Sequence, residues 1–201
     1  MVLKTSEYNI NIKIPAWLDN MIILLVLLYR RLRYGYPFRR IPLTRGMYAI
    51  VDPADFPSLN QYKWRICKSK GKHTLYAERS VRKTNGKFSR ILMHRQVLNV
   101  PEGFVIDHIN RNGLDNRRAN LRLATIAQNA WNSRRRKNRS GYKGVWYAKD
   151  KARFHAAVWY NNKRIYLGYF NSPISAALEY DRAAKKYHGE FASLNFPHIR
   201  K

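Results

Sequence analysis

Residues 105–129, VIDHINRNGLDNRRANLRLATIAQN, hold a dense set of His, Asp and Asn and decide how the central part of the chain folds. The apolar residues at 104–106 predict a strand that ends at Asp107 and His108, and a loop rich in Gly, Asn and Asp follows. Residues 121–124 predict a second short strand, and Thr125 can cap the helix that comes next. The predicted order is therefore strand, loop, strand and helix.

Four polar residues of this stretch have side chains suited to the hydrolysis of a phosphodiester bond. A neutral imidazole such as that of His108 can accept a proton from water near neutral pH. The carboxylate of Asp107 and the amide oxygen of Asn129 are ligands that a hard divalent cation prefers. Asn120, 12 residues after His108, carries a donor and an acceptor that can tie two loop backbones together. The alternative is that these residues only turn and cap an ordinary loop.

The segment 91–134 resembles the HNH nuclease family, in the subgroup with the pattern DHINxNxLDNRxxNLR and an upstream MHR, which here is residues 93–95. The stretch IPLTRGMYAIVD at residues 41–52 resembles the segment that precedes the motif in phage and bacterial members. Within the MHR segment, His94 and Arg95 are candidates for contact with a DNA phosphate near the scissile bond. A purely structural role on a core helix is the alternative for this pair.

The HNH resemblance implies a ββα-metal site with His108 as the general base and Asn120 as a brace of the loop. It also implies that Asp107 and Asn129 bind one divalent ion. The third motif position is often His in the family and is Asn here, which favours magnesium or manganese as the ion. Asn132 follows Asn129 by three residues on nearly the same helical face, so it is the alternative ligand.

Residues 140–197 carry the clearest secondary-structure pattern of the chain. Strands are predicted at residues 143–148, 153–160 and 164–170. Ser172 followed by Pro173 predicts a helix that ends near His188. The segments YKGV, LGYF, AALEYDRAAKKYHGEFA and LNFP resemble, in order, the Apetala-two or ethylene-response-factor DNA-binding domain. That resemblance implies a three-stranded antiparallel sheet packed on one helix, with the open face of the sheet in the DNA major groove.

The alternation along the second of these strands separates a helix-facing side from an open side. Phe154, Ala156 and Val158 face the helix, and Ala157 is expected on the open side with its polar neighbours. The residues expected to contact DNA from the open side are Lys143, Trp146, Arg153, Trp159, Arg164 and Tyr166. Exposed tryptophan beside arginine suits contact with sugars, bases and phosphates. The alternative for the two tryptophans is a contact with the nuclease unit.

The charge of the chain points to a polyanionic partner. Its 201 residues include 39 Lys plus Arg and 12 Asp plus Glu, which gives a formal net charge of +27 at pH 7. Such a charge repels itself unless phosphates lie nearby, so double-stranded DNA is the expected partner and an acidic membrane surface is second. With 45% hydrophobic residues the chain can build one or two cores. No obligate protein partner is evident from the sequence.

The lone cysteine and the apolar segment near the N-terminus exclude several protein classes. Cys67 alone cannot form an internal disulfide or a cysteine-based zinc site, which indicates a reducing, cytoplasmic setting. Residues 21–29 are too few to cross a bilayer, and no signal peptide is evident. The segment 8–14 predicts a strand, and 17–33 predicts a helix that is apolar all round and hence buried. A membrane-surface or partner-binding helix is the alternative.

The expected fold class is α+β, with a ββα-metal nuclease unit, a preceding β-rich unit and a three-stranded sheet packed on a helix. The expected division is an N-terminal segment of unknown role, a nuclease domain, a basic linker and a DNA-binding domain, at residues 1–40, 41–134, 134–140 and 141–197. These features favour a metal-dependent DNA endonuclease of the mobile-element type. A non-catalytic DNA-binding regulator and an RNA-binding basic protein are the alternatives.

Overall fold

The computed structural model describes residues 15–68, 74–133 and 138–197. The chain folds around two separate apolar cores, one formed within residues 41–121 and one within residues 142–196. Several small antiparallel sheets and helices surround them, which confirms a mixed α and β fold. The predicted strand at 8–14 and most of the basic linker at 134–139 lie outside the described residues.

The part of the chain before residue 134 alternates short strands and helices. Its elements in order are α1 (Ala16–Tyr34), β1 (Arg39–Pro42), β2 (Tyr48–Val51), α2 (Phe56–Asn60), β3 (Arg65–Lys68), β4 (Leu75–Arg82), β5 (Phe88–Leu92), α3 (Met93–Val97), β6 (Val105–His108), β7 (Leu121–Ala124) and α4 (Ile126–Trp131). Antiparallel pairing joins β1 to β2, β3 to β4 to β5, and β6 to β7. The predicted order of strand, loop, strand and helix in the polar motif is therefore confirmed as β6, loop, β7 and α4.

The loop of the polar motif is fixed by the sheet that precedes it in sequence. Ile50 of β2 donates its N–H to the carbonyl of Leu114 at 2.8 Å, and its own carbonyl accepts from the N–H of Asn116 at 2.7 Å. Asp115, between these two, forms a parallel bridge with Ile50. These hydrogen bonds satisfy backbone N–H and carbonyl groups of the loop, so the long loop has one defined conformation. The β1–β2 sheet thus holds the loop between β6 and β7 in place.

The C-terminal part forms a sheet covered on one face by a helix. Its elements are β8 (Val145–Ala148), β9 (Arg153–Tyr160), β10 (Lys163–Phe170) and α5 (Pro173–His188), with β9 in the centre of the sheet. Ser172 caps α5, because its hydroxyl accepts the N–H of Ser175 at 3.0 Å. The three strands and the helix predicted here are confirmed, although β8 begins two residues later than predicted. Gly144, with a φ of +72°, turns the chain just before it.

The long N-terminal helix corrects the expectation of a buried helix. α1 forms at the predicted place, but none of its residues, all of which lie in the described part of the chain, is buried. Trp17 is 68% exposed and Leu32 is 78% exposed. The apolar composition favours burial, but the core of the first unit is already closed by other elements, among them β1, β2 and α3. In the described ranges no helix has both the length and the hydropathy needed to cross a membrane.

Candidate active site and DNA interface

The loop between β6 and β7 is held by a set of side-chain amides. Asn120, which is 6% exposed, donates to Asn110 Oδ1 at 3.0 Å and to the carbonyl of Asp115 at 2.8 Å. Its own amide oxygen accepts the N–H of Asn110 at 3.0 Å. The two ends of the loop are therefore joined through one side chain that uses both its donor and its acceptor. Asn120 thus links Asn110 to Asp115 within the loop, and its role as a brace in catalysis stays a prediction.

A pair of charged residues also fixes this loop, and it was not predicted from the sequence. The Arg117 guanidinium donates to both oxygens of Asp115 at 2.8 and 2.7 Å. Asp115 also accepts from Asn110 at 2.8 Å. The carboxylate is 3% exposed, so this fork-to-carboxylate pair stabilises the loop in a dry environment. The signal that could have found it is the DNR triplet, in which an acid and a base lie two residues apart on a tight turn.

His108 lies at the end of β6 in a buried, mostly aromatic setting. It is 5% exposed, and its Nε2 lies 3.3 Å from the amide oxygen of Asn116. The rings of Tyr76 and His94 pack against it, with centroids 5.7 and 5.1 Å away. Burial lowers the pKa of His108, and the hydrogen bond to Asn116 opposes that shift in part. The imidazole is therefore neutral at pH 7 and can accept a proton.

His94 is as buried as its neighbour His108, and its expected contact with a DNA phosphate stays a prediction. It is 6% exposed on α3, and burial lowers its pKa to about 3, so it carries no charge at neutral pH. Its Nδ1 and the Nδ2 of Asn116 are buried without a hydrogen-bond partner among the described residues. Arg95, the next residue, is exposed and remains free to meet a phosphate. Buried polar atoms without partners next to His108 are typical of a functional site.

Asp107 is buried beside His108 but faces a different set of partners. Its carboxylate, 3% exposed, accepts from Nε and Nη2 of Arg122 at 2.9 and 2.8 Å. The amide nitrogen of Asn132 lies 2.9 and 3.0 Å from its two oxygens and 2.9 Å from the carbonyl of His108. Adjacent residues of a strand point to opposite faces, which explains why Asp107 and His108 have separate surroundings.

The structure brings Asn132, and not Asn129, into contact with Asp107. Thr125 and Gln128 form a capping box that fixes the start of α4. Asn132 is the C-cap of this short helix and is 5% exposed. Asn129 is half-buried one turn earlier, and its side chain makes no hydrogen bond to a described residue. The helix position of both follows from the cap, but only the packing of α4 on β6 decides which amide reaches the carboxylate.

The oxygen atoms around Asp107 fit a hard cation better than a soft one. The described residues contain no group of three or more His, Cys, Asp and Glu that could hold a metal ion. Four acceptor oxygens converge on the Asn132 amide nitrogen, which has only two hydrogens: both carboxylate oxygens and the carbonyls of His108 and Ile109. Carboxylate and carbonyl oxygens are the ligand type that a hard divalent cation prefers.

The open face of the C-terminal sheet carries a cluster of aromatic and basic side chains. His155 of β9 stacks on Trp146 of β8 at 5.5 Å, and the Arg164 guanidinium of β10 lies 4.9 Å from the centre of the Trp146 ring. Arg164 also contacts His155 at 2.9 Å. Tyr166 is 51% exposed and packs edge-on against Tyr169. His155 and Tyr169 were not among the predicted DNA contacts. The period of two along β9 places His155 on this face, whereas Tyr169 lies opposite His155 only because the register of β10 shifts between Tyr166 and Gly168.

One of the residues expected on this face lies elsewhere, and another lies on it but is covered. The Lys143 ammonium is directed onto the carbonyls of Trp131 and Ser133, at 2.5 and 2.9 Å, at the C-terminal end of α4. Burial lowers the pKa of Lys143 to about 8, and a cation there suits the helix dipole. Ala157 lies on the open side as expected, opposite Tyr166, but it is only 1% exposed on the central strand. Lys143 therefore joins the two parts of the chain instead of facing solvent.

Trp159 and Arg153 are the exposed residues at the two ends of β9. Trp159 is 55% exposed and lines a cavity of about 330 Å³ together with Thr125, Gln128 and Trp131 from the region of α4. Trp159 therefore borders the nuclease unit, which is the alternative stated above for the two tryptophans, and part of its ring remains exposed. Trp146 lies in the open-face cluster and not in that cavity. Arg153 is exposed.

The C-terminal sheet and helix pack directly on the motif. The Trp131 ring stacks on the ring of His188 with centroids 4.4 Å apart and planes 9° apart. Arg111 of the motif loop donates to the Ser193 hydroxyl at 2.7 Å. Arg122 donates to the carbonyl of Glu190 at 2.9 Å. These contacts join the C-terminal sheet and helix to the β6–β7 hairpin and α4.

Comparison with known proteins independently supports the resemblance to HNH endonucleases. The family model described as HNH endonuclease matches residues 93–131. The chain is 28% identical over 157 residues to the uncharacterized HNH endonuclease L560 of Acanthamoeba polyphaga mimivirus, covering 75% of this chain and 76% of that one. It is 34% identical over 94 residues to protein 3.8 of Escherichia phage T7, covering 46% of this chain and 77% of that one.

The C-terminal region is similar to plant proteins. It is 39% identical over 61 residues to the AP2-like ethylene-responsive transcription factor TOE2 of Arabidopsis thaliana, which is 30% of this chain and 13% of that protein. APETALA2-like protein 2 of Oryza sativa matches over the same length with the same identity. The chain thus spans only a small part of these plant relatives. No solved structure matches the chain.

Proposed function

The chain belongs to the HNH endonuclease family, and on that premise we propose that it cuts phosphodiester bonds of double-stranded DNA in a reaction that depends on a divalent metal ion. The observation that supports this most is the meeting of a neutral imidazole, a buried carboxylate and two loop-bracing amides at one end of the β6–β7 hairpin. The C-terminal sheet lies against the same hairpin and supplies DNA affinity and placement.

His108 is the general base of the proposed reaction. A water oxygen forms the new bond to phosphorus while His108 accepts the proton of that water, and the bond from phosphorus to the leaving 3′ oxygen breaks. The contact of Nε2 with the Asn116 amide holds the ring through one nitrogen, and Nδ1 is the nitrogen proposed to accept the proton. Tyr76 and His94 hold the ring in place from the other sides.

Asp107 would hold the metal ion, with Asn129 or Asn132 as the amide ligand. A bound magnesium or manganese ion would neutralise the charge that builds up on the phosphate and the leaving oxygen. Asn132 is already next to Asp107, whereas Asn129 has the sequence spacing that the family motif implies. Asn120 braces the loop that follows β6 through its bonds to Asn110 and Asp115.

We expect the chain to convert supercoiled plasmid into nicked or linear forms with magnesium and to lose this activity when a chelator is added. Asp107→Ala should raise the metal concentration that gives half-maximal cleavage, because it removes the charged ligand. Asn129→Ala should do the same without lowering the melting temperature, whereas Asn132→Ala should lower it, since Asn132 is buried with several partners. Cleavage in the presence of chelator at the rate seen with magnesium would contradict the proposal.

The pH dependence of cleavage should reflect the buried position of His108. Because burial lowers its pKa, the neutral base persists below pH 6.5, and kcat/KM should begin to fall only at a pH lower than that of an ordinary histidine. The measurement is kcat/KM for plasmid nicking between pH 5 and pH 8. Tyr76→Ala exposes the ring and should move the acid limb upward. An acid limb above pH 7 in the wild type would contradict the assignment.

The open-face cluster is proposed to contact the DNA duplex. Arg164→Ala should lower the affinity by about 1–3 kcal/mol if the guanidinium contacts a base, and it should relax sequence preference. Arg182→Ala is the matched control, because Arg182 is an exposed arginine of α5 paired with Glu179. Gel-shift titrations of the full chain with duplexes of several sequences give both affinities. Equal losses for the two variants would show that only net charge matters at this surface.

A further inference from the structure

Arg122 is the partner of Asp107 across the β6–β7 hairpin. The two residues are directly opposite in the strand register, and two nitrogens of the guanidinium lie 2.9 and 2.8 Å from one carboxylate oxygen. The side chains of Arg122 and Asp107 are only 13% and 4% exposed. In the structure the negative charge of Asp107 is therefore already neutralised by a fixed cation in a place with little water.

The other side of the same guanidinium touches the C-terminal unit. Its Nη1 donates to the carbonyl of Glu190 at 2.9 Å and lies 3.4 Å from the Glu190 carboxylate. The ring of Phe191 lies 3.8 Å from the guanidinium carbon. Arg122 thus joins the unit that carries the open-face cluster to the carboxylate of the nuclease motif. The similar fork of Arg117 on Asp115 makes no such contact among the described residues.

A divalent cation at Asp107 would meet this guanidinium at short range. Two positive groups on one buried carboxylate repel each other, and the repulsion is strong where little water screens it. A phosphate diester relieves the conflict, because its anionic oxygens can accept the planar fork of an arginine. The cation and the DNA should therefore help each other to bind.

We propose that Arg122 couples metal binding to DNA binding: it pairs with Asp107 when DNA is absent and gives its fork to a DNA phosphate when the substrate is bound. This inference rests on the proposed function, since it takes Asp107 as the metal ligand. Arg122 is a positioning residue in this role, and Glu190 keeps it near the C-terminal unit in both states. By linkage, the factor by which DNA raises metal affinity equals the factor by which metal raises DNA affinity.

The test measures metal and not cleavage. Manganese binding to the full chain is followed by electron paramagnetic resonance and calorimetry in a His108→Ala background, with and without a short DNA duplex. The duplex should raise the manganese affinity of the background protein by about tenfold or more. Arg122→Gln should bind manganese about tenfold more tightly than the background without DNA and should gain less than about threefold from the duplex.

Three further variants decide what a result means. Arg122→Lys keeps the charge, so its manganese affinity without DNA should stay close to that of the background; a rise equal to that of Arg122→Gln would assign the effect to packing and overturn the proposal. Arg117→Gln removes the matched guanidinium fork on Asp115 and should leave the coupling between manganese binding and DNA binding unchanged. If Arg122→Gln lowers the melting temperature, Arg122→Met, which keeps an aliphatic chain against Phe191, replaces it.

Failure of this inference and failure of the proposed function give different results. If Asp107→Ala leaves manganese binding unchanged, the metal is not at Asp107 and the proposed ligand is wrong. Suppose that Asp107→Ala abolishes manganese binding. If Arg122→Gln then weakens manganese binding, or if the duplex still raises manganese affinity in Arg122→Gln as much as in the background protein, the metal site stands and the coupling role of Arg122 is overturned.

Discussion

Replacing His108 with alanine is expected to slow plasmid cleavage by roughly 10²- to 10⁴-fold, the range in which a general base usually contributes. DNA affinity should change little, because the 5% exposed His108 ring packs against Tyr76 and His94 and is not part of the open-face cluster. Single-turnover cleavage at saturating DNA measures the chemical step, and gel shifts measure binding. The variant should therefore bind plasmid and leave it supercoiled.

His155→Ala is the matched control for the loss of an imidazole. His155 belongs to the open-face cluster, so its removal should weaken DNA binding and leave the rate at saturating DNA close to that of the wild type. The two histidine variants should thus separate binding from chemistry. Cleavage by His108→Ala at the wild-type rate would show that another group activates the water.

The second large effect is expected on folding, at Gly144. Its φ of +72° is unfavourable for a side chain, and an added Cβ would lie 2.0 Å from the ring of Tyr180 on α5. The backbone conformation costs about 1–2 kcal/mol for alanine, and overpacking adds roughly 1–3 kcal/mol. In the Gly144→Ala variant, the sheet and α5 should therefore unfold at a much lower denaturant concentration than in the wild type. Tryptophan fluorescence measures this transition. DNA binding should be lost at the temperature where that unit melts.

Gly86→Ala separates the two causes. Gly86 has a φ of +75°, nearly the same as Gly144, but an added Cβ would have no atom within 4 Å. Its loss of stability should be only the conformational part, about 1–2 kcal/mol. If Gly86→Ala and Gly144→Ala were equally destabilised, the close approach of Tyr180 to Gly144 would be without energetic weight.

The differences between expectation and structure have one cause in common. Lys143 was expected on the open face because it was placed in the first strand of the sheet, at residues 143–148, and its side chain instead donates to the carbonyls of Trp131 and Ser133 at the end of α4. α1 was expected to be buried because it is apolar all round, and it is exposed because the first core has no room for it. Both expectations used the residue and its sequence neighbours, whereas burial depends on what the rest of the chain leaves open.

The amino-acid sequence by itself determined the local elements and the polar motif. The period of two in β9 and β10, the cap of α5 at Ser172 and the adjacent Asp107 and His108 at a strand end are properties of neighbouring residues, and backbone geometry alone makes them readable.

Only the tertiary structure decided which distant groups meet at the motif. Glu190 lies 68 residues from Arg122, and Ser193 lies 82 residues from Arg111, so no local pattern relates them. Asn129 and Asn132 are one helical turn apart, and the packing of α4 against β6 alone places Asn132 at Asp107. Local propensity acts over a few residues, whereas such contacts depend on how two cores pack against each other, and that packing is a property of the whole chain.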